Sequence, residues 1–218
     1  MKPIIGIVEW PYKDKDGDYI YEVFKGIIDK VNKCGGIPVG LFPSQSIDYY
    51  NSKICDIPNL SIDELKDMRK SLSICDAIIK PGALRIYGYE RYIYNYALEK
   101  DIPYLGICAG MQLMANTENI KNDTNHFQDH YIKILENTLL SEIIGEKEIL
   151  VNSRHNYHIK NSGENSVCAL SNDGIIEAIY NKNKKFHLGV QWHPELLECE
   201  NSYKIFRKLI KNAEKSKK

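Results

Sequence analysis

The stretch Tyr104-Leu105-Gly106-Ile107-Cys108-Ala109-Gly110-Met111-Gln112-Leu113 restricts the fold more than any other part of the chain. Its apolar start reads as a buried strand, Gly-x-Cys-x-Gly as a sharp turn, and the rest as the first turn of a helix. A strand that passes into a helix within so few residues strains the apex residue and pushes its side chain out above the sheet edge. Glycines on both sides leave room for helix and strand to approach closely. A thiol at the apex sits at a helix N-terminus, where aligned backbone N–H dipoles favour thiolate over thiol. The Ala109 amide then points toward any oxyanion formed on an attacked carbonyl. On this pattern alone Cys108 reads either as a nucleophile or as a buried core cysteine, the usual place of a free thiol.

The residues before the elbow alternate strands and helices. Ile4 to Val8 is a first strand, and the loop Trp10 to Asp18 carries a polar turn, Asp14-Lys15-Asp16-Gly17-Asp18. A calcium loop is set aside there because the glycine falls in the wrong place. Helical spacing of Ile20, Val23, Phe24, Ile27, Ile28 and Val31 predicts a helix from about Tyr19, ended by Gly35-Gly36. Ile37 to Leu41 is a strand that Pro38 places early or at an edge. Residues 44 to 60 look irregular. Ser61-Ile62-Asp63-Glu64 is a capping box for a helix with Leu65, Met68 and Leu72 inward. Asp76 to Lys80 is a strand ending at Pro81-Gly82-Ala83, which is either a second source of oxyanion donors or an ordinary turn. A helix from about Tyr89 to Lys100 leads to the elbow strand.

This β-α-β-α-β-α-β order predicts an α/β fold of three layers. Its central sheet is doubly wound, mainly parallel and flavodoxin-like. Ligands in such sheets bind beyond the carboxyl ends of the strands, where both Cys108 and Pro81-Gly82 fall. The polar stretch Thr117 to His130 is expected on the surface. Antiparallel strands follow in the C-terminal half: Tyr131 to Leu135, Glu148 to Val151, Val167 to Leu170, Ile175 to Tyr180 and Phe186 to Gln191. Asn172-Asp173-Gly174 and Asn181-Lys182-Asn183 are hairpin turns between the last three. A closing helix near Ser202 is expected to bury Tyr203, Phe206, Leu209, Ile210 and Ala213. With no linker in 218 residues, 1–218 reads as one domain.

Lys+Arg and Asp+Glu are both 29, which gives no electrostatic case for nucleic acid or an acidic membrane surface. No apolar run has the length of a membrane span. The N-terminus reads as a strand rather than a signal peptide, so a cytoplasmic protein is expected. Six cysteines, Cys34, Cys55, Cys75, Cys108, Cys168 and Cys199, form no Cys-x-x-Cys pair and read as free thiols.

The last predicted strand runs into Gly189-Val190-Gln191-Trp192-His193-Pro194-Glu195. Pro194 biases His193 toward an extended backbone, in which residues two apart share a side. Glu195 can then orient the His193 imidazole, completing a nucleophile, base and orienter set of Cys108, His193 and Glu195.

These two motifs, with Pro81-Gly82 between strand and loop, make the chain resemble the class I glutamine amidotransferase superfamily. Further stretches resemble its gamma-glutamyl hydrolase branch, which includes gamma-glutamyl-gamma-aminobutyrate hydrolases. They are Tyr21 with Gly35 to Val39, Gly106 to Gln112, Val151-Asn152-Ser153-Arg154-His155, Asp173 to Ala178, and Gly189 to Glu195. The resemblance implies a Cys-His-Glu hydrolase that cleaves a gamma-glutamyl amide through a thioester, needs no cofactor or metal, and releases glutamate and an amine. It implies an oxyanion hole from the amides of Ala109 and of the Gly82-Ala83 turn. It places Gln112 beside the glutamyl part of a small substrate and the Asn152, Ser153, Arg154 and His155 loop at the pocket border. The chain departs from the family pattern at Ala83, at Ala109, in the short stretch Leu84 to Glu90, and at Tyr157, all on the expected leaving-group side.

Two other readings stay open. A glutaminase subunit supplying ammonia to a separate synthetase uses the same chemistry, and a non-catalytic binding protein could keep the fold. A homodimer is also left open. His126 with His130, and His155 with His158, have spacings that suit a metal on a helix, but they fall in expected loops without a carboxylate pattern, which favours pocket-edge or structural roles.

Overall fold

The computed structural model describes residues 1–44, 60–122 and 127–216, without the side chain of Lys13. Cys55, His126 and nearly all of the stretch expected to be irregular lie outside the described residues. The first half runs β1 (Ile4–Val8), β2 (Trp10–Lys13), β3 (Tyr19–Glu22), α1 (Lys25–Lys33), β4 (Ile37–Leu41), α2 (Ile62–Leu72) and β5 (Ala77–Lys80). Then come α3 (Gly88–Lys100), β6 (Tyr104–Ile107), α4 (Ala109–Ala115) and β7 (Asn119–Lys121). The second half is β8 (His130–Ile134), α5 (Leu139–Ile144), β9 (Glu148–Val151), β10 (Tyr157–Ile159), β11 (Ser166–Ser171), β12 (Ile176–Tyr180), β13 (His187–Val190) and α6 (Glu200–Ser216).

A nine-stranded sheet orders these as β4-β1-β5-β6-β13-β12-β11-β8-β9. The half from β4 to β13 is parallel, and the half from β13 to β9 is antiparallel. β5, β6 and β13 are buried at every residue, as strands covered on both faces must be. β9 alternates exposed and buried, because only one of its faces meets the core. On one face pack Ile27 and Val31 of α1, Leu140 of α5, and Phe206 and Leu209 of α6. On the other pack Met68 and Leu72 of α2, Ile93 and Ala97 of α3, and Met111 of α4. The expected three-layer, doubly wound architecture is therefore present. Phe206 is fully buried, and truncating it to alanine would cost about 3–5 kcal/mol. No helix of the described residues is long and apolar enough to cross a membrane. The five described cysteines are free.

Pro38 does sit on an edge strand, and the capping box at Ser61 and Glu64 is formed. The structure corrects the reading in several places. The helix expected from Tyr19 begins only at Lys25, because Tyr19–Glu22 pairs with Trp10–Lys13 as a hairpin. The polar turn makes that hairpin: Asp14 Oδ1 accepts from the amides of Asp16 and Asp18, and Gly17 takes φ 93°. Tyr203 is half-buried, and its ring lies under the Lys30 ammonium at 4.1 Å, while Ile205 takes the core position. Leu65 is also only half-buried. α5 was not expected, although Thr138 caps it and Gly145 ends it with φ 78°. Nor was the small pairing of β7 with β10 that crosses the polar stretch.

Candidate active site

β6 ends at Ile107 and α4 starts at Ala109, so the turn is a single residue. Cys108 absorbs it with φ 51° and ψ −106°, a strained conformation for a side chain other than glycine. Hydrogen bonds hold it there: its amide donates to Val190 O at 2.8 Å, and its carbonyl accepts from the Met111 and Gln112 amides. The flanking glycines are required. A β-carbon on Gly106 would lie 2.6 Å from the Gly110 carbonyl group, and one on Gly110 would lie 2.3 Å from Lys80 O. Cys108 is only half-buried and lines an open cleft, so a solute can approach it.

Next in the sheet, β13 carries the chain out to His193. Cys108 and His193 meet across Gly82. A β-carbon on that glycine would be 2.8 Å from His193 Cε1, 3.5 Å from its Nε2 and 3.3 Å from Cys108 Cβ. The imidazole thus stands beside the Cys108 side chain, and its Nδ1 lies 2.7 Å from Glu195 Oε1. The pairing of His193 with Glu195 was expected from an extended backbone, but Pro194–Leu196 is a 3-10 turn closed by Leu196 N–H on His193 O. α1 packs on this turn, and Gly26 permits it: a β-carbon there would strike Glu195 O at 2.2 Å. Phe24 meets the His193 ring edge-on at 5.8 Å. Burial pushes the His193 pKa down, but Cys108 beside it and the hydrogen-bonded, negatively charged Glu195 outweigh that and lift it to about 10.

A cleft of about 430 Å³ opens beside the thiol. Ala83 to Ile86 line it, with Cys108, Ala109, Gln112, Arg154, His155 and Tyr157. No Asp or Glu is among the lining residues, whereas Arg85 and Arg154 are. Gln112 is held by three hydrogen bonds, donating to Tyr157 O and Gln191 Oε1 and accepting from Asn119. Another cleft of about 360 Å³, lined by Arg91, Asn116 and Asn165 among others, includes none of Cys108, His193 or Glu195.

The border loop divides. Arg154 and His155 line the cleft, but Asn152 and Ser153 are buried and do not. Asn152 instead clasps the His193 backbone, its Oδ1 accepting from His193 N–H at 2.8 Å and its Nδ2 donating to His193 O at 2.9 Å. His155 lies 3.6 Å from the buried Glu177 carboxylate, and His158 Nδ1 lies 2.6 Å from Asn122 Oδ1. Among the described residues no group of three His, Cys, Asp or Glu is placed to hold a metal. Sequence reasoning passed over Gln191, whose Nε2 donates to Cys108 Sγ at 3.5 Å. It lies two residues before His193, so the alternation used for Glu195 could have found it.

A model of the family described as peptidase C26 matches residues 3–195. The chain belongs to the peptidase C26 family. This is a family of glutamine amidotransferase-like hydrolases, and the chain is similar to the glutamine amidotransferase-like protein RP404 of Rickettsia prowazekii (strain Madrid E), 28% identical over 96% of this chain and 97% of that one. The glutamine-hydrolyzing GMP synthase of Francisella tularensis subsp. tularensis (strain WY96-3418) is 31% identical over 69% of this chain but only 30% of its own. The C26 chain thus spans about a third of the length of that synthase. In fold it is similar to the glutaminase domain of Trypanosoma brucei CTPS, solved with bound acivicin, with a TM-score of 0.72 at 20% identity over 98% of this chain and 94% of that one.

Proposed function

We propose that this C26 chain is a cysteine hydrolase of gamma-glutamyl amides, and that residues 1–218 form one catalytic domain of the reducing cytoplasm. The observation that carries the reading is the meeting of a strained, reachable thiol with an imidazole fixed by a carboxylate at 2.7 Å. The proton of Cys108 passes to His193, and the sulfur attacks the side-chain carbonyl carbon of the gamma-glutamyl group. The amides of Ala109 and of the Gly82-Ala83 turn take the oxyanion. His193, oriented by Glu195, returns the proton to the departing nitrogen as the C–N bond breaks, leaving a thioester. Water gives a proton to the same imidazole and attacks the thioester, and glutamate leaves as the thiol is restored. The cleft favours such a substrate, because Arg85, Arg154 and His155 offer cationic or hydrogen-bonding partners to a carboxylate with no acidic side chain to repel it. Gln112, fixed beside the thiol, faces the glutamyl part.

Glutamate release from a panel of gamma-glutamyl amines tests this reading. Cys108→Ala should abolish release, and retention of wild-type release would refute the assigned nucleophile. The similarity to a GMP synthase favours a second reading, in which the chain is a glutaminase subunit that passes ammonia to a separate synthetase. Weak glutaminase activity that rises strongly with a synthetase, and little cleavage of other gamma-glutamyl amines, would select it.

A further inference from the structure

Beneath the proposed oxyanion turn lies a buried ion pair that the mechanism above leaves unused. Lys80, the last residue of β5, is 1% exposed, and its Nζ lies 3.0 Å from Glu90 Oε1 on α3. Glu90 is equally buried, and its Oε2 accepts from the Tyr87 amide at 2.8 Å. Such a pair adds little to stability over apolar side chains of the same size, because desolvation offsets its attraction. Its geometry offers another purpose. The ammonium donates a buried hydrogen bond of 2.8 Å to the carbonyl of Pro81. That carbonyl belongs to the peptide whose N–H is Gly82, the residue in contact with both His193 and Cys108. The geometry points to Lys80 as a positioning residue that polarises the Pro81–Gly82 peptide toward the oxyanion, with Glu90 holding its ammonium in place.

Two effects combine. A peptide group is one conjugated dipole, so a cation on its oxygen strengthens its N–H as a donor. The bond also fixes the turn: Pro81 has a locked φ, and the Lys80 backbone is wedged against Gly110 of α4, so Gly82 has little freedom to tilt away from the thiol. Both effects act on a charge that exists only after sulfur attacks, so they lower the barrier without tightening substrate binding.

This inference rests on the cysteine-hydrolase reading, and the test separates the two. The variants are Lys80→Met, the double variant Lys80→Met with Glu90→Gln, which leaves no uncompensated buried charge, and Glu90→Gln, which keeps the ammonium on Pro81. Four quantities are read on a gamma-glutamyl amide: kcat, KM, the rate of Cys108 alkylation by iodoacetamide, which forms no oxyanion, and inhibition by a gamma-glutamyl aldehyde, to which the thiol adds to give an oxyanion-like hemithioacetal. The double variant should lose about 10-fold in kcat and in aldehyde affinity together, with KM and alkylation within about twofold. Glu90→Gln should keep at least about a third of kcat, because its amide oxygen can still accept from the ammonium; it leaves that charge without a counter-ion and should be less stable than the double variant, in which both charges are gone. An unchanged kcat in the lysine variants, alkylation that falls in step with kcat, or an equal loss in Glu90→Gln overturns the role. A wild-type protein that cleaves no gamma-glutamyl amide overturns the hydrolase reading and this inference with it.

Discussion

Gly82 and His193 are so close that a β-carbon on the glycine would lie 2.8 Å from the imidazole Cε1. The ring has no way to recede: Glu195 holds Nδ1 at 2.7 Å, Asn152 holds the backbone, and Phe24 stands edge-on against it. Gly82 does not have a positive φ, so alanine suits its backbone and only the contact is at stake. Gly82→Ala should therefore displace the imidazole by a fraction of an ångström and lower kcat about 100-fold with little change in Tm. Steady-state kinetics with a thermal melt check this, and an unaltered kcat would refute the proposed contact.

Asn152 stands at the end of β9, yet its amide serves a residue 41 positions away. Both of its hydrogen bonds are buried, and removing it leaves the N–H and C=O of His193 without those partners. Asn152→Ala should cost about 1–3 kcal/mol in urea unfolding and also slow catalysis, because the imidazole loses its anchor. If the variant loses activity in KM alone, at full stability, Asn152 binds substrate after all.

The difference between what could and could not be read from the chain follows from distance along it. The elbow was legible because strand, strained apex and helix are consecutive, and because close packing demands glycine at Gly106 and Gly110. His193 with Glu195 was legible as a local pair, though the turn that brings them together is 3-10 rather than extended. The hairpin of β2 and β3 was misread because Ile20, Val23 and Phe24 continue the helical spacing of Ile27 and Val31, while the pairing of Tyr19–Glu22 with Trp10–Lys13 outweighs that local pattern. The clasp of Asn152 and the ion pair of Lys80 carry no local signal. A lysine ending an apolar strand looks solvated until α3 brings Glu90 over it.

Two histidines set opposite limits on stability as pH changes. His187 is fully buried against the rings of Tyr94 and Tyr104, and burial pushes its pKa down to about 4. Between about pH 6.5 and 4 the unfolded chain binds a proton that the folded one refuses, so stability falls as pH falls, by up to about 3 kcal/mol. His193 is raised to about 10, so its contribution is complete below about pH 6.5 and is lost as pH rises toward 10. Stability should peak near pH 6.5. His187→Phe, which keeps a ring packed against both tyrosines, should flatten the acid limb in urea titrations across pH and leave the alkaline limb in place.

The wall of the cleft depends on a carboxylate that never reaches it. Glu177 is fully buried, with Oε1 3.3 Å from His130 Nε2 and 3.6 Å from His155 Nε2. Burial acts to raise its pKa, but the two imidazoles close to it prevail and hold it below the usual value; the nearby Glu177 carboxylate in turn raises His130. The Glu177 contribution is thus present above the ordinary carboxylate range and lost as pH falls through it. Of the partners, only His155 lines the cleft, so Glu177 acts on substrate through the placement of that ring. Glu177→Gln keeps the size of the side chain but removes the charge that both imidazoles face. KM for a gamma-glutamyl substrate should rise about 10-fold while kcat changes less than about threefold, since Cys108, His193 and Glu195 are untouched. A fall in kcat at constant KM would instead tie Glu177 to the reacting centre, through the hydrogen bond that its backbone carbonyl accepts from the Gln191 amide.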